Sequence, residues 1–339
     1  MKKLTMAAVA AFALAAGSAS AADIVTKARP IVAPPPPAWD LAFGSAIASD
    51  YIFRGVTQSN HAPAVAAYFE PRYNINKDHH LYFGIGGASV SLPNRAAAEV
   101  DFYAGYRPTF GPIAFDFGVW YYWYPKGQCF SSATGTPFGN NNFDCAPSPG
   151  VAFQALPNAN AIKANLSFVE VYGKVNYTVN DNISLGAYAY YSPSVLNSGA
   201  DGIFFGGTAK YTWAAFANGV QPYISGEVGR WEFGTTDSFY GCAPTVGGCL
   251  GAFSAGIPLP DYTTWNVGIG WTWKVFTVDL RYIDTNLNKG DCNAFTADHT
   301  AVFAPGTASP INAGNQSNWC SGRFVARLSA DLTVNNNLK

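Results

Sequence analysis

Charge is scarce in this chain. Asp, Glu, Lys and Arg make up 12% of its 339 residues, against about 25% in soluble domains, so much of it cannot present an ordinary water-facing surface. Neither sign dominates. The 20 Lys and Arg stand against 21 Asp and Glu, which removes the basic footprint that nucleic-acid binding requires. Beyond the N-terminal leader no apolar run approaches the about 18 to 20 residues of a spanning helix, so helical membrane crossings are excluded. No C-x-x-C pair occurs among the six cysteines and the histidines lie away from them, which argues against a zinc site. Neither a P-loop nor a dinucleotide fingerprint is present, and no cofactor is expected. What the chain has instead is aromatic side chains, 15% of the total, and something other than water must receive them.

The first residues, MKKLTMAAVAAFALAAGSASAAD, carry Lys2 and Lys3, an alanine-rich apolar stretch and an Ala19-Ser20-Ala21 cleavage site. These are the three parts of a secretory signal peptide, assigned to residues 1–21. Removing its two lysines lowers Lys plus Arg from 20 to 18 against 21 acids, so the exported chain is slightly acidic. Residues 22–38, with Pro34-Pro35-Pro36-Pro37, read as an extended periplasmic linker.

From Trp39 strict alternation begins. WDLAFGSAIASDYIF sets Trp39, Leu41, Phe43, Ile47, Tyr51 and Phe53 on one face and Asp40, Ala42, Gly44, Ala46 and Asp50 on the other, the period of a β-strand with two unlike faces. The pattern returns in VAAYFEPRYNI, LYFGIGGASV, EVDFYAGYR and IAFDFGVWYYWY, and again from VEVYGKVNYTV to RFVARLSADLTV. About twelve strands result, each near the 9 to 11 residues of a tilted membrane crossing. Soluble sandwiches alternate too, so connection lengths decide. Links after even strands are short (Gly111-Pro112, Asn180-Asp181-Asn182), whereas three after odd strands are very long, 125–165, 233–261 and 286–321. Tyr and Trp gather at strand ends (Trp39, Tyr73, Tyr106, Trp123, Trp213, Trp273), as aromatic girdles do. The expected fold is all-β: a transmembrane antiparallel β-barrel over residues 39–339, with short periplasmic turns and long extracellular loops, in a Gram-negative outer membrane.

The cysteines agree with this topology. Cys129 and Cys145, Cys242 and Cys249, and Cys292 and Cys320 fall two to each long loop. Six cysteines permit 15 pairings; this distribution favours the three sequential ones, which an exported chain can keep.

In SDYIFRG the apolar half is expected to finish the first strand at the outer interface, with Asp50 and Arg54 turned into the lumen and Gly55 opening the first loop. Arg54 is expected near acids such as Asp50 or Glu99. The same parity turns inward the acids Glu70, Glu99, Asp101, Asp116, Glu170, Glu227 and Asp279, with Asp40 and Asp331. It turns inward the bases Arg72, Arg107, Lys174, Arg281, Arg323 and Arg327, with Lys210. Such near-balance predicts weak selectivity or a lumen partly closed by ion pairs.

SDYIFRGVTQSNHAPAV resembles the N-terminal signature of the TorF-type porins of Proteobacteria, in which an aromatic-Arg-Gly step is followed by Gln, Ser and a Pro-Ala segment. The matching positions are Ser49, Asp50, Tyr51, Arg54, Gly55, Gln58, Ser59, Pro63 and Ala64, and a looser likeness runs to the C-terminus. Departures are the three long cysteine-bearing loops and the NNNLK ending, where many outer-membrane barrels end in an aromatic residue. The resemblance implies a pore with no catalytic residues to carry over.

Passive diffusion of small hydrophilic solutes is therefore the expected function, and a non-conducting barrel with a structural or adhesive surface role is the alternative. Expected partners are outer-membrane lipids and small solutes, with self-association left open. An enzyme is not expected, since His61 beside Ser59 and Asp50 is the only grouping of nucleophile, histidine and acid. DTNLNKG (284–290) and GNNNFD (139–144) offer oxygens for calcium, but the glycine of the first sits one place off the EF-hand pattern, and Asn and Asp favour turns in any case. No metal site is assigned.

Overall fold

The computed structural model describes residues 37–130, 158, 160–237, 239–240, 256–308 and 314–338. The signal segment and most of the linker lie outside them.

Twelve strands close into one antiparallel barrel. They are β1 (Trp39–Ala48), β2 (Ala64–Asn74), β3 (His79–Ala88), β4 (Glu99–Phe110), β5 (Ile113–Trp123) and β6 (Phe168–Thr178), then β7 (Ile183–Ser192), β8 (Gly202–Thr212), β9 (Gln221–Phe233), β10 (Tyr262–Trp273), β11 (Phe276–Thr285) and β12 (Arg323–Thr333). Each pairs with its sequence neighbour, and β12 closes on β1 through a ladder from Ala42↔Thr333 to Ala48↔Arg327. Closure leaves no edge strand, which is how a sheet survives in hydrocarbon.

Alternation explains the wall. In β10 Trp265, Val267, Ile269 and Trp273 are exposed while Gly268 and Gly270 between them are buried; in β12 Phe324 is 82% exposed next to a buried Val325. Water could not hold so continuous an apolar outer surface, and lipid can. The barrel therefore spans the outer membrane, short turns on one side and long loops on the other. Trp39, Tyr73, Trp123, Trp213 and Trp273 lie exposed at strand ends. Inside, tyrosines lie flat along the wall where the facing residue is small: a Cβ on Gly270 would stand 2.3 Å from Tyr223 Cζ.

The first loop departs from expectation. The wall strand stops at Ala48, and the chain then turns inward. Tyr51 and Phe53, expected on the lipid face, instead enter the barrel, where the Tyr51 hydroxyl meets Glu99 and Phe53 packs edge-on against Tyr122 and Trp231. Ile52–Phe53 pairs with Val56–Thr57 as a two-residue hairpin. Its tip residues Arg54 (φ 49°) and Gly55 (φ 85°) are both left-handed, as a type I′ turn demands. Gly55 has a second reason: a Cβ there would come within 2.5 Å of Thr264 Oγ1. Strand parity failed here because an apolar side chain in a barrel has two dry destinations, lipid and a filled interior.

Above the hairpin the sixth loop contributes α1 (Lys289–Thr296) and the disulfide Cys292–Cys320, both cysteines in an apolar cluster with Val56, Trp231, Tyr262 and Trp319. Cys129 is also disulfide-bonded, while Cys145, Cys242 and Cys249 lie outside the described residues.

Candidate functional site: the lumen and its inward hairpin

Arg54 stands at the centre of the site. Its guanidinium binds Glu170 of β6 through two parallel bonds of 2.8 and 2.7 Å, the forked geometry that suits a carboxylate. Both side chains are almost wholly buried, at 6% and 1% exposure. Four rings surround the cation, with centroids at 4.6 Å (Phe53), 4.9 Å (Tyr190), 4.3 Å (Phe204) and 4.3 Å (Trp231). Tyr122 donates to the same carboxylate and Tyr262 donates to the Arg54 carbonyl. Burial alone would disfavour the cation, but Glu170 outweighs it and holds the Arg54 pKa above its ordinary value. The expected neighbours of Arg54 are corrected accordingly. Asp50 and Glu99 serve other partners, and the counter-charge comes from 116 residues downstream.

Asp50 anchors the root of the hairpin. It accepts from Thr57, Ser59 and Arg323 at 2.5, 2.9 and 2.9 Å, and His61 Nδ1 lies 3.3 Å away. The other His61 ring nitrogen meets Asn318, and Ser59 bonds the acid and the Ala62 carbonyl. Ser59, His61 and Asp50 are thus adjacent, but the acid holds the serine, an order different from a hydrolase triad, in which the histidine does. On the opposite flank Glu99 accepts from Tyr51 at 2.5 Å and from Tyr124 at 2.7 Å, and burial and then Glu99 push the Tyr124 hydroxyl pKa well up. Asp101, two residues on, accepts from Trp120. One short hairpin therefore touches side chains of β4 to β12, most of the barrel's circumference, at a single level.

Below that level the charged residues of the wall form two networks. In the first, Glu70 accepts from Arg72 at 2.6 Å and from Arg107 at 2.7 Å, and Asp116 accepts from Arg107 at 3.1 Å and pairs with Lys174 at 3.6 Å. In the second, Arg281 binds Asp279, Asn266 and Ser225, while Glu227 accepts from Tyr188 and Asn266. Arg327 sits opposite Asp279 in the ladder. Apart from the buried Glu70 and Tyr188, these groups are partly exposed.

Sequence reading missed the aromatic lining: Tyr82, Tyr122, Tyr172, Tyr188, Phe204, Trp231 and Tyr262. Its signal was available, since Trp120 and Tyr122 share the parity of Asp116, and Tyr188 and Tyr190 that of Ser184. Among the described residues no group of three metal-binding side chains occurs. In DTNLNKG the Asp284 oxygens accept from Thr285 and Tyr282, and Asn288 caps α1; GNNNFD lies outside the described residues.

A model of a bacterial family of unknown function matches residues 33–308. None of the curated proteins matches the chain. Among solved structures the chain is similar to the NanC porin (8% identity, TM-score 0.38, 86% of this chain and 98% of that one). It is also similar to the beta domain of the Bordetella autotransporter BrkA (8%, 0.40, 87% and 98%) and to LpxR from Salmonella typhimurium (10%, 0.36, 86% and 99%). Scores of this size carry no inference about function.

Proposed function

The chain belongs to the Gcw_chp family of bacterial proteins, and we propose that this member is an outer-membrane channel for small hydrophilic solutes, closed by its first-loop hairpin and conducting when the hairpin leaves. The observation that carries the reading is the position of Arg54–Gly55 at the tip of a two-residue hairpin inside the lumen, clamped to Glu170. Beneath the plug lie the partly hydrated side chains of Arg72, Arg107, Asp116, Asp279 and Arg281, a lining that suits polar solutes and repels apolar ones. The likeness of SDYIFRGVTQSN to TorF-type porins points the same way. Near-balance of lumen charge supports weak selectivity across the pore as a whole.

The test is single-channel recording in planar bilayers. The native chain should give rare, brief openings, and a variant with residues 52–57 replaced by a Gly-Ser linker of equal length should conduct steadily. A second reading has its own support: Trp231 and Tyr262 are 1% and 0% exposed beside the hairpin, as in a permanently filled barrel with a surface role. A folded but silent linker variant would sink the channel and favour that reading.

A further inference from the structure

Beneath the hairpin, the wall from β8 to β12 holds cations that its acids leave without an ion pair. The inward acids of these strands are Glu227, Asp279 and Asp331: Asp331 of β12 accepts from Tyr68 at 3.1 Å, and both oxygens of Asp279 on β11 are engaged, by Arg281 at 3.0 and 2.9 Å and by Tyr223 at 2.7 Å. The next acid above, Glu227, is taken by Tyr188 and Asn266. Two more cations share this arc. Lys210 of β8 lies opposite Ser225 in the ladder, the serine that Arg281 reaches at 2.8 Å, and Arg327 of β12 lies opposite Asp279. The Lys210 ammonium rests 4.1 Å from the Tyr223 ring centre. Among the described residues neither Lys210 nor Arg327 forms an ion pair. A third donor lies close by: the Thr208 hydroxyl, on the face of Lys210 and two residues above it, is buried without a hydrogen-bond partner among the described residues.

The opposite wall differs. There Arg72, Arg107 and Lys174 each meet a carboxylate. Ladder spacing of about 5 Å between strands brings the side chains of Lys210, Arg281 and Arg327 to bear on one stretch of lumen. All three are partly exposed, and low-dielectric walls leave their field weakly screened. An ammonium and two forked guanidiniums match an oxyanion that offers several oxygens at once.

We propose that Lys210, Arg281 and Arg327 form a binding station for small oxyanions, solutes bearing a phosphate or carboxylate group. Its role in permeation rests on the channel reading above; its existence does not. Inorganic phosphate is the probe. In titration calorimetry the intact, detergent-solubilised chain should bind phosphate, and the double variant Lys210→Gln/Arg327→Gln should bind at least tenfold more weakly. Lys77→Gln, in an exposed periplasmic turn, should leave binding as it was. Both double-variant changes remove charges that form no ion pair among the described residues, so the barrel should fold, which heat-dependent gel migration checks. In the linker variant of the hairpin, reversal potentials in a potassium phosphate gradient should favour the anion, and adding the double change should abolish that preference. No phosphate binding by the intact chain, or equal binding by the double variant, overturns the station. Binding intact in a barrel that stays silent without its hairpin leaves the station standing and overturns the channel.

Discussion

Glu170→Gln isolates the clamp because it keeps the side chain's shape and removes only the charge facing Arg54. The guanidinium would then sit 6% exposed with no carboxylate, and uncompensated buried charge costs about 3 to 5 kcal/mol. The four rings remain, and their attraction for a desolvated cation, about 2 kcal/mol, sets the expectation at the lower end. The wall strands need not melt to relieve the strain, since the hairpin alone can leave. At about 1.4 kcal/mol per factor of ten, the docked-to-released ratio should fall roughly a hundredfold or more. Hydrogen exchange reads this directly at Thr57, whose amide donates to the Trp319 carbonyl at 3.1 Å. Its peptide should exchange faster by that factor, while wall peptides from β10 keep native protection. Planar bilayers should record a matching rise in open time. Replacing both partners, Arg54→Met with Glu170→Leu, should restore docking, because an apolar pair of similar size fills the site at no charge cost. Native exchange at Thr57 in a folded Glu170→Gln barrel would refute the reasoning.

Three further outcomes follow from the wall and the cap. Val267→Arg, at a 51% exposed position in mid-β10, should lose about 2 to 4 kcal/mol in folding into liposomes; a neutral result there would argue that the outer face meets water. Opening the Cys292–Cys320 bond, which spans 28 residues, should cost the sixth loop about 3 to 4 kcal/mol by loop-closure entropy. Proteolysis should then cut near α1 in Cys292→Ser/Cys320→Ser while the barrel keeps its heat-dependent gel shift; equal resistance would count against it. Burial lowers the pKa of His299, whose ring stands 5.5 Å from Trp319, so the folded loop resists the proton that the unfolded loop accepts. Loop stability should therefore hold above about pH 6.5 and decline as pH falls below it, a decline that His299→Gln should abolish in hydrogen exchange over residues 298–308.

Strand existence, strand number and the two sides of the barrel were legible because a wall residue has one neighbour on each face, and the period of two records which. Val267 and Asn266, or Phe117 and Asp116, announce their faces locally. Pairing across the lumen has no such record. That Arg107 bridges Glu70 and Asp116, or that Arg281 crosses Gly268 of β10 to reach Ser225, depends on curvature and on glycines that leave room, and parity is silent on both. The pairing of Cys292 with Cys320 was legible from their spacing within one loop.

The apolar run that ends on Arg54 shows why loops are harder to read than walls. Tyr51 and Phe53 continue the alternation of β1 past Ala48, so nothing local marks the point where the chain turns inward. The marks are conformational: Arg54 and Gly55 must both be left-handed, a demand that a strand entering a long open loop does not make but a two-residue hairpin does. A hairpin of two-residue arms cannot stand alone in water, so it must dock, and a charged tip docks only where a carboxylate and rings await it. Glu170, Tyr190, Phe204 and Trp231 supply them from four strands. An uncharged tip would pack among those rings but leave the Glu170 carboxylate buried and alone, a loss comparable to the one worked above. The arginine that closes the apolar run is thus the counter-charge that lets β6 carry an acid inside the barrel, and each makes the other's burial tolerable.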